Sequence, residues 1–167
     1  KAIVITSAEP QAGKTITSTN ISIALAQNGH KVLLIDADLR KPQLHKVFDL
    51  ERQDGLGDYL MGKTDLKEII KDAGIENLKV ITAGKNVTNP AEVIGSKRMM
   101  DFIAEAKSLF DFVIFDSSPV ISVTDAIILS DMADAAIQVV RSGRILAPGD
   151  IKVKEKLANT KAKFLGV

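Results

Sequence analysis

Three short segments of the sequence carry side chains that could bind and transfer a phosphoryl group. They are AEPQAGKT at Ala8–Thr15, LLIDADLR at Leu33–Arg40 and VIFDSSP at Val113–Pro119. The first brings a glycine, a lysine and a hydroxyl residue together, and the other two place aspartates after apolar runs. Lysine and backbone amides neutralise phosphate oxygens, whereas carboxylates hold a cation or accept a proton. The combination predicts chemistry on a magnesium-bound nucleotide.

The first segment fits the end of the phosphate-loop pattern G-x-x-x-x-G-K-[ST], although Ala8 stands where the pattern begins with glycine. We predict a strand, a turn and a helix here, so that backbone N–H groups and the positive end of the helix face a β-phosphate. Lys14 is expected to reach the β- and γ-phosphates, and Thr15 to hold Mg²⁺. A chance Gly-Lys-Thr between a strand and a helix is the alternative. The predicted nucleotide-binding residues are Gln11, Ala12, Gly13, Lys14, Thr15 and Ile16.

The aspartates of the other two segments follow buried-type strands. Asp36 and Asp38 come after Leu33–Ile35, and Asp116 ends the run Val113–Phe115. Ligands of open α/β sheets collect at the carboxyl ends of strands, so these carboxylates are expected near the phosphate loop. Two neighbouring carboxylates repel each other, and a cation or a basic neighbour such as Arg40 is expected beside them. The alternative for any one of them is a helix cap or a turn.

The apolar pattern predicts the elements that position these residues. Short runs rich in valine and isoleucine alternate with helical stretches, which is typical of a parallel sheet covered on both faces. The predicted strands are Ala2–Thr6, Val32–Asp36, Leu78–Thr82, Phe112–Asp116, Ala135–Val140 and Phe164–Val167. The predicted helices are Lys14–Asn28, Leu66–Ala73, Pro90–Leu109, Asp125–Met132 and Gly149–Asn159. We therefore predict one doubly wound, mostly parallel α/β domain over residues 1–167.

Composition excludes several other classes of protein. The chain has 167 residues, of which 46% are hydrophobic and 26% charged, as in ordinary globular domains. Its net charge of +1 gives no support for a nucleic-acid partner. The absence of cysteine excludes disulfides and thiolate metal sites. No apolar run approaches the roughly 18 residues of a membrane span.

The two acidic segments resemble motifs of a known family. The hydrophobic–DxDxR element at Leu33–Arg40 and the hydrophobic–DxxP element at Val113–Pro119 resemble the Walker A′ and Walker B motifs of bacterial tyrosine kinases, which are relatives of the MinD/ParA ATPases. The resemblance continues through RKPQLHKVFDL at Arg40–Leu50 and through Ser117–Gly143. MinD-like ATPases share the loop and the acidic motifs but not the R-K-P-x-x-H-x-x-F continuation.

This resemblance implies a P-loop fold and transfer of the ATP γ-phosphoryl group to tyrosine, with Mg²⁺ as cofactor and ADP as product. Lys14 and one carboxylate of the pair Asp36/Asp38 are expected to be catalytic, because a phenol of pKa about 10 needs a base at neutral pH. We favour Asp36 as that base, although the sequence does not separate the two. Thr15, Asp38 and Asp116 are expected to face the metal.

Three positions depart from the related patterns. Glu9 replaces the signature lysine of MinD/ParA proteins, and Ile16 lacks a hydroxyl that many relatives offer to the α-phosphate. Tyr59 is the single tyrosine, and we expect it to be a packing residue. Because the family's E-x-x-R-x-x-R helix and tyrosine-rich tail match no part of the sequence, we expect a core of a longer chain. A MinD/ParA-like switch ATPase and a nucleotide-binding module without turnover remain open as alternatives.

The same resemblance implies the biological setting. The expected partners are a transmembrane polysaccharide co-polymerase, fused or separate, that activates the kinase, and tyrosine-containing substrates that include copies of the chain itself. A homo-oligomer, autophosphorylation and a role in capsule or exopolysaccharide synthesis and export are implied as well. The expected location is cytoplasmic, at the inner face of the membrane.

Overall fold

A seven-stranded sheet forms the centre of the molecule in the computed structural model, which describes residues 1–141 and 148–167. The strands are β1 (Ala2–Ser7), β2 (Val32–Asp36), β3 (Lys71–Asp72), β4 (Leu78–Ile81), β5 (Phe112–Asp116), β6 (Ala135–Val139) and β7 (Lys163–Gly166). Their order is β3-β4-β2-β5-β1-β6-β7, and all neighbours are parallel except β3 and β4. The predicted mostly parallel sheet is therefore confirmed.

Helices cover both faces of this sheet. They are α1 (Lys14–Gln27), α2 (Leu44–Val47), α3 (Leu56–Leu60), α4 (Leu66–Ile69), α5 (Pro90–Ile94), α6 (Lys97–Leu109), α7 (Asp125–Ser130) and α8 (Pro148–Ala158). Alternate residues of β2 divide between the two cores: Leu33 packs with Phe102 of α6, and Leu34 packs with Ala26 of α1. Burial on both faces explains why the strands are continuously apolar. No helix in the described ranges has both the length and the apolar character needed to cross a membrane.

Two predicted helices differ from the observed elements. The stretch Pro90–Leu109 divides at Gly95, and Ser96 starts α6 by accepting a hydrogen bond at its Oγ from the Met99 amide at 3.2 Å. The second half of Leu66–Ala73 is instead the short edge strand β3. Its Lys71 ammonium donates to two loop carbonyls at 2.6 Å each, so tertiary contacts outweigh helix propensity there.

The predicted stretch Ser117–Gly143 ends beyond the described residues. Its last two positions, 142 and 143, lie between the two described ranges. The rest of the stretch comprises the loop after β5, α7 and β6. These elements lie beside the edge of the sheet where the aspartates are expected.

Gly84 allows the loop after β4 to pack tightly against the start of α3. It has φ +80°, and a Cβ built on it would overlap Asp58 Oδ2. That carboxylate accepts hydrogen bonds from the amides of Gly55 at 3.3 Å and Lys85 at 2.9 Å. The contact therefore depends on the missing side chain as well as on the left-handed backbone.

We expect Gly84→Ala to lower the free energy of unfolding by about 2–4 kcal/mol, since it combines left-handed strain with overpacking. Gly74→Ala is the matched control, because Gly74 also has positive φ (+69°) but nothing lies within 4 Å of an added Cβ. That control should lose only about 1 kcal/mol in urea unfolding. Equal losses for the two variants would contradict the crowding at Gly84.

Candidate functional site

The loop between β1 and α1 has the backbone of an anion-binding turn. Gln11 (φ 60°) and Gly13 (φ 99°) are both left-handed, and Gly13 is the N-cap residue that immediately precedes α1. Ala8 is not left-handed; it is buried and packs with Val120 and Ala126, so alanine is tolerated where the pattern has glycine. The loop therefore keeps its turn at the end that precedes the helix.

A cleft of about 650 Å³ opens beside this loop at the carboxyl ends of the strands. Five of the six predicted nucleotide-binding residues line it, namely Gln11, Gly13, Lys14, Thr15 and Ile16. Ala12 is half-buried and is not part of its lining. Asp38 and Arg40 from the loop after β2, and Ser118 from the loop after β5, face the same space. The sequence motifs thus converge on one cavity.

Lys14, Thr15 and Asp116 meet at the start of α1. The Thr15 hydroxyl donates to Asp116 Oδ2 at 2.6 Å, and both Lys14 and Asp116 are buried. Burial lowers the pKa of Lys14, and the charges of Asp116 and Asp38 oppose that shift. Burial also raises the pKa of Asp116 to about 6, against the lowering effects of the Thr15 hydrogen bond and the Lys14 charge. The site therefore concentrates opposite charges away from water.

Asp36 is fully buried, and one of its oxygens anchors the chain after β2. Its Oδ2 accepts hydrogen bonds from the amides of Gln43 and Leu44, each at 2.9 Å, at the start of α2. Its Oδ1 is buried and has no hydrogen-bond partner in the part of the chain that is described. Burial raises the pKa of Asp36 to about 7; the hydrogen bonds from the Leu44 and Gln43 amides oppose this shift, and the nearby charge of Asp116 adds to it. Asp36 does not line the cleft.

Asp38 lies two residues further on and does line the cleft. Its Oδ1 accepts hydrogen bonds from the amides of Arg40 at 3.3 Å and Lys41 at 3.0 Å, so that it also closes a turn. Asp36 and Asp38 thus both stabilise the loop after β2 by accepting hydrogen bonds from its amides. Both aspartates therefore form the turn or cap contacts that were the alternative to a functional role, and the same side chains are the candidates for that role.

The basic neighbour expected for the aspartate pair is engaged elsewhere. Arg40 forms an ion pair with Asp125 at the start of α7, with Nε to Oδ2 at 2.8 Å and Nη2 to Oδ1 at 3.1 Å. The guanidinium thus forms its side-chain hydrogen bonds with Asp125, although the charge of Asp38 also acts on Arg40 and on Lys14. Sequence reasoning missed Asp125, because no local pattern joins residues that are 85 positions apart.

The donor set fits a magnesium ion bound together with a nucleotide. Asp116 Oδ1 is buried and has no hydrogen-bond partner among the described residues, and the Thr15 hydroxyl lies beside the same carboxylate. In the described ranges no three His, Cys, Asp or Glu side chains form a metal cage. Mg²⁺ rarely requires such a cage, because it takes one or two carboxylates and completes its shell with water and phosphate oxygens.

Tyr59 lies away from this cleft. Its ring packs against Phe102 with centroids 5.5 Å apart, and the Arg98 guanidinium carbon lies 4.6 Å from the ring centroid. This is the environment expected of a packing residue.

Comparison with known proteins agrees with this geometry. An AAA domain model (AAA_31) matches residues 1–158. The tyrosine-protein kinase YwqD of Bacillus subtilis is 43% identical over 99% of this chain and 70% of its own length. The kinase domain of the Escherichia coli tyrosine kinase ETK superposes with a TM-score of 0.94, at 33% identity over 99% of this chain and 65% of that one.

A more distant structure shares the fold. MinD from Pyrococcus horikoshii, complexed with Mg-ADP, superposes with a TM-score of 0.80 at 25% identity, over 99% of this chain and 68% of that chain. The expected family, fold class and enzyme class are all confirmed. Similarity of this extent to tyrosine-protein kinases places the chain in the bacterial tyrosine-protein kinase family, as an enzyme of that class built on a P-loop fold.

Proposed function

We propose that this tyrosine kinase binds ATP with Mg²⁺ in the cleft beside α1 and transfers the γ-phosphoryl group to a tyrosine hydroxyl. The observation that carries the proposal is the meeting of buried Lys14 with the Thr15–Asp116 hydrogen bond at the end of the phosphate loop. A cation, a hydroxyl and a carboxylate in that arrangement suit a triphosphate and its metal.

The phosphate loop and Lys14 bind the triphosphate in this proposal. The left-handed turn at Gln11 and Gly13 leads into α1, whose first N–H groups lack helical partners and can donate to phosphate oxygens. Lys14 lies against the same turn and neutralises the β- and γ-phosphates. Ile16 is 68% exposed at the cleft and offers no hydroxyl, so the α-phosphate grip relies on backbone donors.

Thr15, Asp38 and Asp116 are the residues that would hold Mg²⁺. The ion, when bound, shields phosphate oxygens and stabilises the charge that moves to the leaving group. Thr15 and Asp116 are already connected by a hydrogen bond. The MinD relative is complexed with Mg-ADP, and that likeness supports the same ligand for this chain.

One carboxylate of the pair Asp36/Asp38 acts as the base. The tyrosine oxygen forms a bond to the γ-phosphorus, the bond from that phosphorus to the β,γ-bridging oxygen breaks, and the phenol proton passes to the carboxylate. Phosphotyrosine and ADP are the products. Each of the two aspartates has one oxygen held by two loop amides, and we favour Asp36 because its other oxygen, Oδ1, is buried without a hydrogen-bond partner in the described structure. Asp38 is the alternative, because it lines the cleft.

The biological setting remains part of the proposal. We place the enzyme in the control of capsule or exopolysaccharide synthesis and export, at the inner face of the cytoplasmic membrane. A transmembrane polysaccharide co-polymerase, fused or separate, is its activator, and copies of the kinase phosphorylate one another as an oligomer. Residues 1–167 form a single P-loop core of that kinase. No nucleic-acid partner is proposed.

Incubation with ATP, Mg²⁺ and a tyrosine-rich acceptor peptide tests the reaction. We expect phosphotyrosine and ADP in equal amounts by mass spectrometry, and a loss of at least about 100-fold when EDTA removes the metal. A switch ATPase would release inorganic phosphate without phosphotyrosine. A nucleotide-binding module would bind ADP and turn nothing over. Either of the last two results would contradict the proposal.

A further inference from the structure

The geometry points to Arg40 as a second cationic catalytic residue, which donates hydrogen bonds to the phosphoryl group during transfer and is oriented for this by Asp125. The inference rests on the proposed function, since it concerns the same cleft. It adds one catalytic residue and one positioning residue to the set given by the phosphate loop and the aspartates.

The Arg40 side chain, although it belongs to a loop, is held in place by Asp125. Two parallel hydrogen bonds, 2.8 and 3.1 Å long, join the guanidinium edge to both carboxylate oxygens. Asp125 is 1% exposed, whereas the Arg40 side chain is 40% exposed. Bidentate pairing fixes both the position and the plane of a guanidinium. Asp125 therefore acts as a buried anchor for a side chain that still reaches solvent.

The guanidinium N–H groups that do not bind Asp125 are available on a side chain that lines the cleft. Arginine has five N–H donors, and the pair uses two of them. The other three have no hydrogen-bond partner in the described ranges, and Arg40 lines the cleft together with Lys14 and Asp38. Donors that are fixed before the reaction stabilise developing charge without reorganisation. An arginine in this position matches the need of phosphoryl transfer for cations around the transferred group.

A purely structural role for the Arg40–Asp125 pair predicts a different effect of mutation on ADP binding. If Arg40 only ties the loop after β2 to α7, its loss disturbs Asp38 and the cleft wall, and ADP binding falls with everything else. If Arg40 contacts the transferred phosphoryl group, ADP binding is preserved, because ADP lacks that group. The two roles are therefore separated by ligands that differ only at the third phosphate position.

The test compares ADP with ADP–aluminium fluoride, a mimic of the transferring group, each with Mg²⁺. For Arg40→Gln we expect the Kd of ADP to change by less than about threefold, and both kcat and the affinity for the mimic to fall by about 100-fold or more. Arg40→Lys keeps the charge but loses the planar fork, so part of both should return. Asp125→Asn should lower kcat by about tenfold with little change in the KM of ATP, and Asp125→Glu should recover part of the loss.

Lys79→Gln is the matched control, because it breaks the exposed Lys79–Asp72 pair, with Nζ to Oδ2 at 2.7 Å, on the β3–β4 edge. Its binding constants should equal those of the unchanged protein. Equal weakening of ADP and of the mimic in Arg40→Gln, or no change in either, overturns the proposal. The mimic needs no tyrosine, so failure of the kinase reaction is recognised separately: the unchanged protein would bind the mimic and form no phosphotyrosine.

Discussion

Lys14→Met is expected to reduce phosphotyrosine formation by at least about 1,000-fold. Lys14 is buried at the phosphate loop, and its charge interacts with Asp116 and Asp38 in the site. Methionine keeps the length and the apolar stem but removes the cation that neutralises the β- and γ-phosphates. Loss of one preorganised charge in a water-poor site typically costs about 100–1,000-fold in rate, and loss of triphosphate binding adds to it. Labelled ATP and a tyrosine-rich acceptor supplied in trans provide the measurement.

The same substitution should not unfold the protein. Burial lowers the pKa of Lys14, which means that the folded state without ligand holds this charge at a cost. The melting temperature of the nucleotide-free variant is therefore expected to equal or exceed that of the unchanged protein. Lys67→Met, on the exposed surface of α4, is the control and should label normally. Equal labelling by Lys14→Met and the unchanged protein would exclude a phosphate-loop kinase.

The sheet could be predicted from the sequence because its signals are local. Each central strand is a run of apolar residues bounded by turn or acidic residues, and β2 and β5 have the bounds that were expected. The carboxyl ends of parallel strands share one edge, so Asp36 and Asp116 could be placed near the phosphate loop from the sequence alone. Their adjacency is direct in the structure, where the two are register partners on neighbouring strands.

The rest depends on contacts between distant segments. The short strand β3 forms only because β4 is available to pair with it, and its sequence alone indicates a helix. The pairing of Arg40 with Asp125 joins two loops that no spacing rule connects. Whether Asp36 faces the cleft also depends on α2, whose first amides capture one of its oxygens. Residue types thus indicated the chemistry, whereas the roles of individual side chains depend on tertiary contacts.

Asp36→Asn separates the catalytic role of Asp36 from its structural role. The amide oxygen can still accept the hydrogen bonds that Gln43 and Leu44 donate, so the start of α2 is preserved. The amide is not a base at any relevant pH. We expect kcat to fall by about 100–10,000-fold, the range attributed to a general base, while ADP binding changes little. A larger loss in Asp38→Asn, with Asp36→Asn nearly active, would move the base to Asp38.

Asp36→Asn is also expected to stabilise the protein at high pH when nucleotide and metal are absent. Burial raises the pKa of Asp36 from 3.8 to about 7, so the folded state disfavours the charged form. The stability contributed by the protonated carboxyl is complete below pH 3.8 and is lost as the pH rises through 7. In urea unfolding with EDTA, the free energy of unfolding of the variant should therefore exceed that of the unchanged protein at pH 8 by on the order of 1–3 kcal/mol, and by less at pH 5.

Asp72→Asn is the opposite control, since Lys79 lowers the pKa of that exposed carboxyl and its loss should weaken folding slightly at pH 8. A variant at Asp36 that is less stable at pH 8 would show that this carboxylate is held for folding rather than for chemistry.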